Sequence, residues 1–266
     1  MKIADAHSHL FPLKIAAKAA KSIGDFYDVP EGNLASTENY LRLAKEAGIT
    51  KSLVCNAAVN AGQVPSINLF IAQECHAHPQ EFIGLGSLFP GMEGWEEELD
   101  KIQAYGLRGI KIHSDFQHLD LDTPDGIPMY REIAKRGMVV LFHLGDERYD
   151  HSAPRRLLNL KRQVPDLIAI SSHFGGYQQW DASLQCPMPE GIWYDTSSSL
   201  AYLTDDRAKR MLDTLGLERF MFGVDFPMWT PKVEVDRFLG KKLGLTQQET
   251  EDILYNNFCR LFGVTE

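Results

Sequence analysis

The chain has 266 residues, of which 44% are hydrophobic and 24% are charged. This is the composition of a globular protein that can bury a large core. Its net charge of −9 comes without a long block of one sign. Electrostatics therefore give no reason to expect binding to nucleic acid or to an anionic membrane, although one local arginine or a metal ion can still hold an anionic substrate.

The cysteines and the N-terminus bear on the cellular compartment. The four cysteines are far apart and form no CxxC motif, so we expect reduced thiols and a cytoplasmic protein. The first residues hold no apolar segment of the kind that follows the charged start of a signal peptide. The apolar runs are also too short to cross a membrane.

Short apolar segments alternate with longer amphipathic ones along the whole chain. The predicted strands are residues 3–9, 50–56, 82–88, 106–113, 137–143, 167–173, 192–197 and 220–225, and the predicted helices are residues 37–47, 66–77, 93–105, 128–136, 154–163, 205–215 and 233–262. Strands that alternate with helices favour right-handed crossovers and a parallel sheet.

About eight such units in this length predict an α/β fold, a (β/α)8 TIM barrel, as a single domain over residues 1–266. An open doubly wound sheet is the alternative. That fold usually carries a glycine-rich phosphate-binding turn after its first strand, whereas this chain has His7-Ser8-His9 there and no GxGxxG or P-loop motif.

Five histidines and one aspartate fall at the C-terminal ends of predicted strands. They are His7, His9, His113, His143, His173 and Asp225. Catalytic residues of a (β/α)8 barrel come from these strand ends, and imidazole and carboxylate groups are ligands for Zn²⁺ and similar ions. The pattern therefore predicts a metal site. Lys111, two residues before His113, shares its strand parity.

Five motifs make the chain similar to the amidohydrolase superfamily, in particular to its amidohydrolase-2 branch of metal-dependent hydrolases and decarboxylases. They are Asp5-Ala-His7-Ser-His9, Gly109-Ile-Lys-Ile-His113, Phe142-His143-Leu-Gly-Asp146, Ser172-His173-Phe-Gly-Gly176 and Phe222-Gly-Val-Asp225-Phe-Pro227. They occur in the expected order from one end of the chain to the other. The closing segment, residues 257–263, is also similar to the usual end of these chains.

The resemblance implies a set of site residues. His7, His9 and His143 would bind one divalent ion, Zn²⁺ in first place with Mn²⁺ as the alternative. Asp225 would be both ligand and proton acceptor, and His173 would lie near the ion as a catalytic residue or a further ligand. A second ion, bridged by a carboxylated Lys111 with His113 beside it, is the alternative to a single-metal site.

Two reactions remain open at this point. The first is hydrolysis of a C–N or C–O bond in a small carbonyl compound such as a cyclic amide or lactone, by a metal-activated water. The second is non-oxidative decarboxylation of a small aromatic or unsaturated acid. Larger insertions are frequent in the family's decarboxylases, so the compact chain favours hydrolysis.

Several residues of the loops after the strands are candidates for binding such a substrate: Phe11, Phe116, Arg148, Tyr149 and Trp229. Arg148 could meet an acid group or pair with a neighbouring aspartate. The expected partner is a small molecule, with neither nucleic acid nor membrane involved, and a homodimer is left open. A binding protein with a residual metal site is a third possibility, which the water-activating Asp225 disfavours.

Overall fold

The computed structural model describes residues 1–30 and 32–264, and within them strands alternate with helices. The elements in chain order are β1 (Ile3–His9), α1 (Leu13–Tyr27), α2 (Thr37–Glu46), β2 (Ile49–Cys55), α3 (Val64–Ala77), β3 (Phe82–Gly84), β4 (Gly86–Ser87), α4 (Trp95–Ala104), β5 (Gly109–Ile112), α5 (Ser114–Gln117), α6 (Ile127–Lys135), β6 (Val139–Phe142), α7 (Pro154–Gln163), β7 (Ile168–Ser171), α8 (Trp180–Gln185), β8 (Ile192–Asp195), α9 (Asp205–Leu215), β9 (Phe220–Met221), α10 (Pro231–Gly240), α11 (Gln247–Glu251) and α12 (Asn257–Phe262). No helix in the described ranges is both long and apolar enough to cross a membrane.

These elements form two compact units. The first unit contains residues 1–55, residues 73–83 and the chain from Thr196 onward, and the second contains residues 56–72 and 84–195. That residues 1–266 form a single domain stays a prediction.

The first unit is built on a sheet with the strand order β1-β2-β3. The strands β1 and β2 are parallel, with Ile3 paired to Ile49 and His9 paired to Cys55. The apolar side chains of β2, such as Leu53 and Val54, are fully buried. Burial of one such side chain stabilises the folded chain by about 1.5–3 kcal/mol, and the strand β1 that bears His7 and His9 is held by its pairing with β2.

The second unit holds the strands β4 to β8 side by side in sequence order. Each neighbouring pair is parallel, from Gly86 opposite Ile110 to Ser171 opposite Tyr194. The strands β5 and β6 are buried along their whole length. This agrees with a parallel sheet that is covered on both faces.

The predicted elements do not include α1. Its buried positions are Ala16, Ala20 and Gly24, four residues apart, while Leu13 and Ile15 are exposed. The buried face therefore consists of small residues and lacks the large apolar side chains by which an amphipathic helix is ordinarily identified. The three strands that precede His113, His143 and His173 end one or two residues earlier than expected, at Ile112, Phe142 and Ser171, so these histidines lie just beyond the strands.

Candidate active site

Three potential metal ligands converge in the first unit, and we call His7, His9 and Asp225 the His7 group. The Nε2 atoms of His7 and His9 lie 3.8 Å and 3.4 Å from Asp225 Oδ1. The two imidazole rings are nearly perpendicular, with centroids 5.0 Å apart. One ligand atom from each residue lies within 4.8 Å of the others, so the group could hold one ion.

The second nitrogen of each imidazole in the His7 group is held by an oxygen. His9 Nδ1 lies 3.1 Å from the Cys55 carbonyl oxygen, and His7 Nδ1 lies 3.1 Å from Ser197 Oγ. A carbonyl oxygen only accepts hydrogen bonds, so neutral His9 is protonated at Nδ1 and has its lone pair at Nε2, towards Asp225. This arrangement is typical of metal-ligating histidines. The Nε2 lone pair and the carboxylate oxygen are both electron-rich, so a cation between them would be attracted to both.

The other oxygen of Asp225 belongs to a chain of hydrogen bonds. Ser198 Oγ donates to Asp225 Oδ2 over 2.5 Å, and Trp229 Nε1 donates to Ser198 Oγ over 2.9 Å. Trp229 was predicted as a substrate-binding residue. Its indole N–H donates to Ser198, which in turn donates to the candidate ligand Asp225. The observed contact of Trp229 is therefore with the hydrogen-bond partner of a ligand.

Asp5 is fully buried beneath the same strand end. Its carboxylate accepts hydrogen bonds from the backbone N–H of His7 and Val224 and from the hydroxyls of Ser8 and Tyr40. Burial raises the pKa of Asp5 to about 6, and these hydrogen bonds oppose that increase. Asp5 therefore supports the ligands through the backbone of β1, because it accepts from the backbone N–H of His7.

The second unit contains a stack of rings, and we call His113, Asp115, His143 and His173 the His143 group. The His113 ring lies parallel to the Phe116 ring at 3.7 Å and to the His143 ring at 4.0 Å. His173 meets His143 edge-on, with ring centroids 4.8 Å apart. All four members of the group are buried.

The hydrogen bonds of the His143 group fix the position of a proton. His143 Nε2 lies 3.0 Å from the Gly145 carbonyl oxygen, and His143 Nδ1 lies 3.0 Å from His173 Nε2. The carbonyl can only accept, so neutral His143 is protonated at Nε2 and accepts at Nδ1. The donor to Nδ1 is then His173, which carries its proton at Nε2.

Backbone-directed hydrogen bonds hold His173 in place. Its N–H donates to Asp195 Oδ1 over 3.0 Å, and its carbonyl oxygen accepts from Trp180 Nε1 over 3.0 Å. The residue has a left-handed backbone with φ of 60°, a region that is uncommon for residues other than glycine, although histidine, asparagine and aspartate are enriched there. Local strain of this kind is retained where surrounding contacts fix the residue.

Asp115 was not among the predicted site residues, although it follows His113 by two positions. Its Oδ2 accepts a hydrogen bond from Ser152 Oγ over 2.6 Å, and its buried Oδ1 has no hydrogen-bond partner among the described residues. Burial raises the pKa of Asp115 to about 6. Burial of an oxygen without a hydrogen-bond partner costs free energy. A nearby cation would therefore stabilise the ionised Asp115 carboxylate.

The second-metal alternative can be compared with this geometry. Ligand atoms of His113, Asp115 and His143 lie within 4.8 Å of one another, but His143 Nε2, the atom 3.8 Å from Asp115 Oδ2, is engaged by the Gly145 carbonyl. An ion there would have to displace that hydrogen bond. Lys111 lies fully buried on β5, and its role as a carboxylated bridge stays a prediction.

The remaining predicted substrate-binding residues have local contacts. Arg148 makes a bidentate ion pair with Asp146, with Nε and Nη2 2.9 Å and 2.6 Å from its two oxygens. The guanidinium also lies over the Tyr149 ring at 5.3 Å. Phe116 stacks on His113, and the backbone N–H of Phe11 donates to Ala35. None of these contacts tests substrate binding, so that role stays a prediction for each residue.

Comparison with known proteins gives a match of the amidohydrolase family model to residues 4–264. A curated relative, 2-amino-3-carboxymuconate-6-semialdehyde decarboxylase of Dictyostelium discoideum, is 36% identical over 81 residues. That match spans 29% of this chain and only 22% of the relative's length.

Solved structures extend the similarity to the whole chain. An uncharacterized Tim-barrel protein from Bordetella bronchiseptica has a TM-score of 0.79 at 18% identity, with 99% of each chain covered. A dihydroxybenzoic acid decarboxylase from a Polaromonas species, solved with bound manganese and the inhibitor 2-nitroresorcinol, has a TM-score of 0.77 at 14% identity, with 98% of this chain and 97% of that chain covered. The predicted fold class is confirmed: the chain is an α/β protein with the (β/α)8 TIM-barrel fold, and it belongs to the amidohydrolase family, in its amidohydrolase-2 branch.

Proposed function

We propose that this enzyme is a metal-dependent, non-oxidative decarboxylase of a small aromatic or unsaturated carboxylic acid. The family membership supports an enzyme of the metal-dependent superfamily, and decarboxylases are among both the curated relatives and the solved structures that resemble it. The observation that carries the proposal is the 3.0 Å contact between His173 Nε2 and His143 Nδ1, from which an N–H on His173 follows, because decarboxylation of such an acid requires a group that can protonate carbon.

The His7 group is the proposed metal centre. His7 and His9 would provide nitrogen ligands and Asp225 an oxygen ligand, a donor set that suits Zn²⁺ and also Mn²⁺. The manganese in the decarboxylase from Polaromonas makes Mn²⁺ an equal candidate. When bound, the ion supplies a positive charge that attracts a carboxylate and stabilises negative charge on oxygen. His143 as a further ligand stays a prediction of the family resemblance.

His173 is the proposed proton donor. In the reaction, His173 would start as an imidazolium, give one proton to the carbon that bears the carboxylate and become a neutral imidazole. The carbon–carbon bond then breaks, and its electron pair returns to the ring or double bond as CO₂ leaves. His173 then regains a proton from solvent. General acids of this kind contribute about 10²–10⁴-fold to the rate, and the contacts of its backbone with Asp195 and Trp180 hold it for that task.

Asp225 is assigned a different role from His173. A carboxylate that accepts a hydrogen bond from Ser198 is favoured in its ionised form, so Asp225 suits metal binding and proton acceptance better than proton donation. This also supports hydrolysis as the second candidate function, in which Asp225 takes the proton of an attacking water. The preference for hydrolysis that chain length suggested is less well supported than decarboxylation, because hydrolases as well as decarboxylases are among the similar proteins.

A substrate panel tests the proposal. Hydroxybenzoates, lactones and cyclic amides are each incubated with metal-loaded enzyme, and the release of CO₂ is measured beside the release of acid. We expect CO₂ from at least one aromatic or unsaturated acid, and its loss in His173→Gln without loss of metal. Turnover of lactones or amides with no CO₂ from any acid would overturn the decarboxylase and establish the hydrolase.

A further inference from the structure

We infer that Ser198 and Trp229 are positioning residues that fix the carboxylate of Asp225 so that one oxygen, Oδ1, is presented to the metal. The inference rests on the metal centre of the proposed function. It assigns a role to the turn after β8 and to an aromatic residue in the loop after β9, within the first unit.

The direction of each hydrogen bond in this chain follows from chemistry. An indole N–H can only donate, so Ser198 Oγ accepts from Trp229 at 2.9 Å. A serine hydroxyl has a single proton, and the short 2.5 Å separation to Asp225 Oδ2 identifies the acceptor of that proton. Trp229 therefore orients the Ser198 hydroxyl, and the hydroxyl in turn engages one carboxylate oxygen.

The backbone on both sides of this contact is held in an unusual conformation. Ser198 and Asp225 have φ values of 49° and 65°, a left-handed region that costs free energy for residues with a side chain. The Asp225 N–H donates to the His7 carbonyl over 2.7 Å, and the Asp225 carbonyl accepts from Met228 over 3.0 Å. The backbone of Asp225 is thus bound to the strand that carries the histidines.

The indole of Trp229 is also fixed by its neighbours. The Arg237 guanidinium lies over its ring at 4.8 Å, and the Tyr202 ring meets it edge-on at 6.2 Å. A ring packed in this way presents its N–H in one direction only. Both contacts favour the orientation of the indole from which the hydrogen-bond chain to Asp225 begins.

The two oxygens of Asp225 are divided between two tasks as a result. Oδ2 accepts from Ser198, while Oδ1 lies 3.4 Å from His9 Nε2 and 3.8 Å from His7 Nε2. The Ser198 hydroxyl restricts rotation of the carboxylate about its terminal bond, so its loss removes part of that restriction. Metal binding would then have to restrict that rotation, so the affinity for the ion would fall.

The test is calorimetric titration of Zn²⁺ into the full-length protein after removal of metal by a chelator. Loss of a hydrogen-bond partner of a metal ligand typically weakens affinity by about 10–100-fold, and we expect this for both Ser198→Ala and Ser198→Gly. The two variants separate the hydrogen bond from backbone strain. Glycine relieves the strain at a positive φ, so the metal-free Ser198→Gly protein should melt at a higher temperature than Ser198→Ala while binding metal equally poorly.

Trp229→Phe tests the first link of the chain. We expect a smaller loss of affinity than for Ser198→Ala, and no further loss when the two changes are combined, because both act through the same hydroxyl. Ser199→Ala and Trp95→Phe are the controls. Ser199 is buried beside Ser198 but donates to the Ser197 carbonyl, and Trp95 begins α4 in the other unit, so both should bind Zn²⁺ with wild-type affinity.

The outcomes are separable. Wild-type affinity in Ser198→Ala and Ser198→Gly, or full additivity with Trp229→Phe, would overturn the positioning role and leave the metal centre intact. If the wild-type protein itself takes up no Zn²⁺ or Mn²⁺, the proposed metal centre fails, and the inference fails with it.

Discussion

The His7 group and the His143 group contain the same residue types but differ in what their imidazoles face. In the His7 group, His9 donates from Nδ1 to a backbone carbonyl and turns its other nitrogen to the carboxylate of Asp225. In the His143 group, His143 donates to a backbone carbonyl and turns its other nitrogen to a second imidazole, His173. The first arrangement is suited to a cation, and the second holds a proton.

The difference shows that the backbone hydrogen bond alone does not decide the role of a histidine, and that the group opposite its other nitrogen does. A carbonyl acceptor fixes which nitrogen carries the proton, and the group opposite the remaining lone pair then determines the chemistry. A carboxylate opposite two lone pairs favours metal binding. An N–H opposite a lone pair creates an ordered proton donor instead.

Removal of a ligand in the His7 group should have the largest effect. His9→Ala and Asp225→Ala each remove one donor of the proposed centre, so we expect loss of stoichiometric metal and of all measurable turnover. Metal analysis of dialysed protein, beside the wild type, is the measurement. A variant that retains both metal and turnover would exclude its residue from the centre.

His173→Gln should lower turnover while sparing metal. The change removes the proton at Nε2 but retains a polar side chain of similar reach, so we expect kcat to fall by about 10²–10⁴-fold. Trp193→Phe, on β8, is a control for general damage in the same unit. Unchanged kcat in His173→Gln would refute its role as proton donor.

Acid should release metal from the wild-type protein reversibly. Imidazole must be unprotonated to bind an ion, so metal affinity should decrease as the pH falls and recover when the pH is raised. Equilibrium dialysis against buffered Zn²⁺ at successive pH values, with circular dichroism to verify the fold, is the measurement. Constant occupancy down to about pH 4 would contradict a centre built on His7 and His9.

Arg148→Ala should have the smallest effect on catalysis and a measurable one on stability. Asp146 is fully buried and pairs with Arg148 in the second unit. Its carboxylate would lose the guanidinium, which we expect to destabilise the protein by about 1–3 kcal/mol. Urea denaturation measures this, and a large rise in KM without destabilisation would instead support the predicted contact of Arg148 with an acidic substrate.

The sequence allowed prediction of the fold class and of the residues that form the two groups, with the exception of Asp115; the roles of these residues stay predictions. Alternation along a strand brought His7 and His9 together, and the family motifs identified His143, His173 and Asp225. The cytoplasmic location, the small-molecule partner, the open question of a homodimer and the choice of Zn²⁺ stay predictions. The contacts within the chain do not determine its location, its partners or the identity of the metal.

Other features of the site were beyond prediction from sequence. The oxygens that orient the imidazoles belong to Cys55, Gly145 and Ser197, and two of them are backbone carbonyls that any residue could supply. Ser198 carries no recognisable motif, because its role depends on a left-handed turn and on the approach of a residue 27 positions away. Contacts of this kind arise only when distant segments pack together.

The most direct test of the account is the metal content of three proteins made in zinc-replete medium and dialysed side by side: the wild type, His9→Ala and His173→Gln. We predict about one ion per chain in the wild type and in His173→Gln, and none in His9→Ala. Absence of metal from the wild type would contradict the proposed centre. Equal loss of metal from both variants would contradict the distinction between a metal-binding group and a proton-holding group.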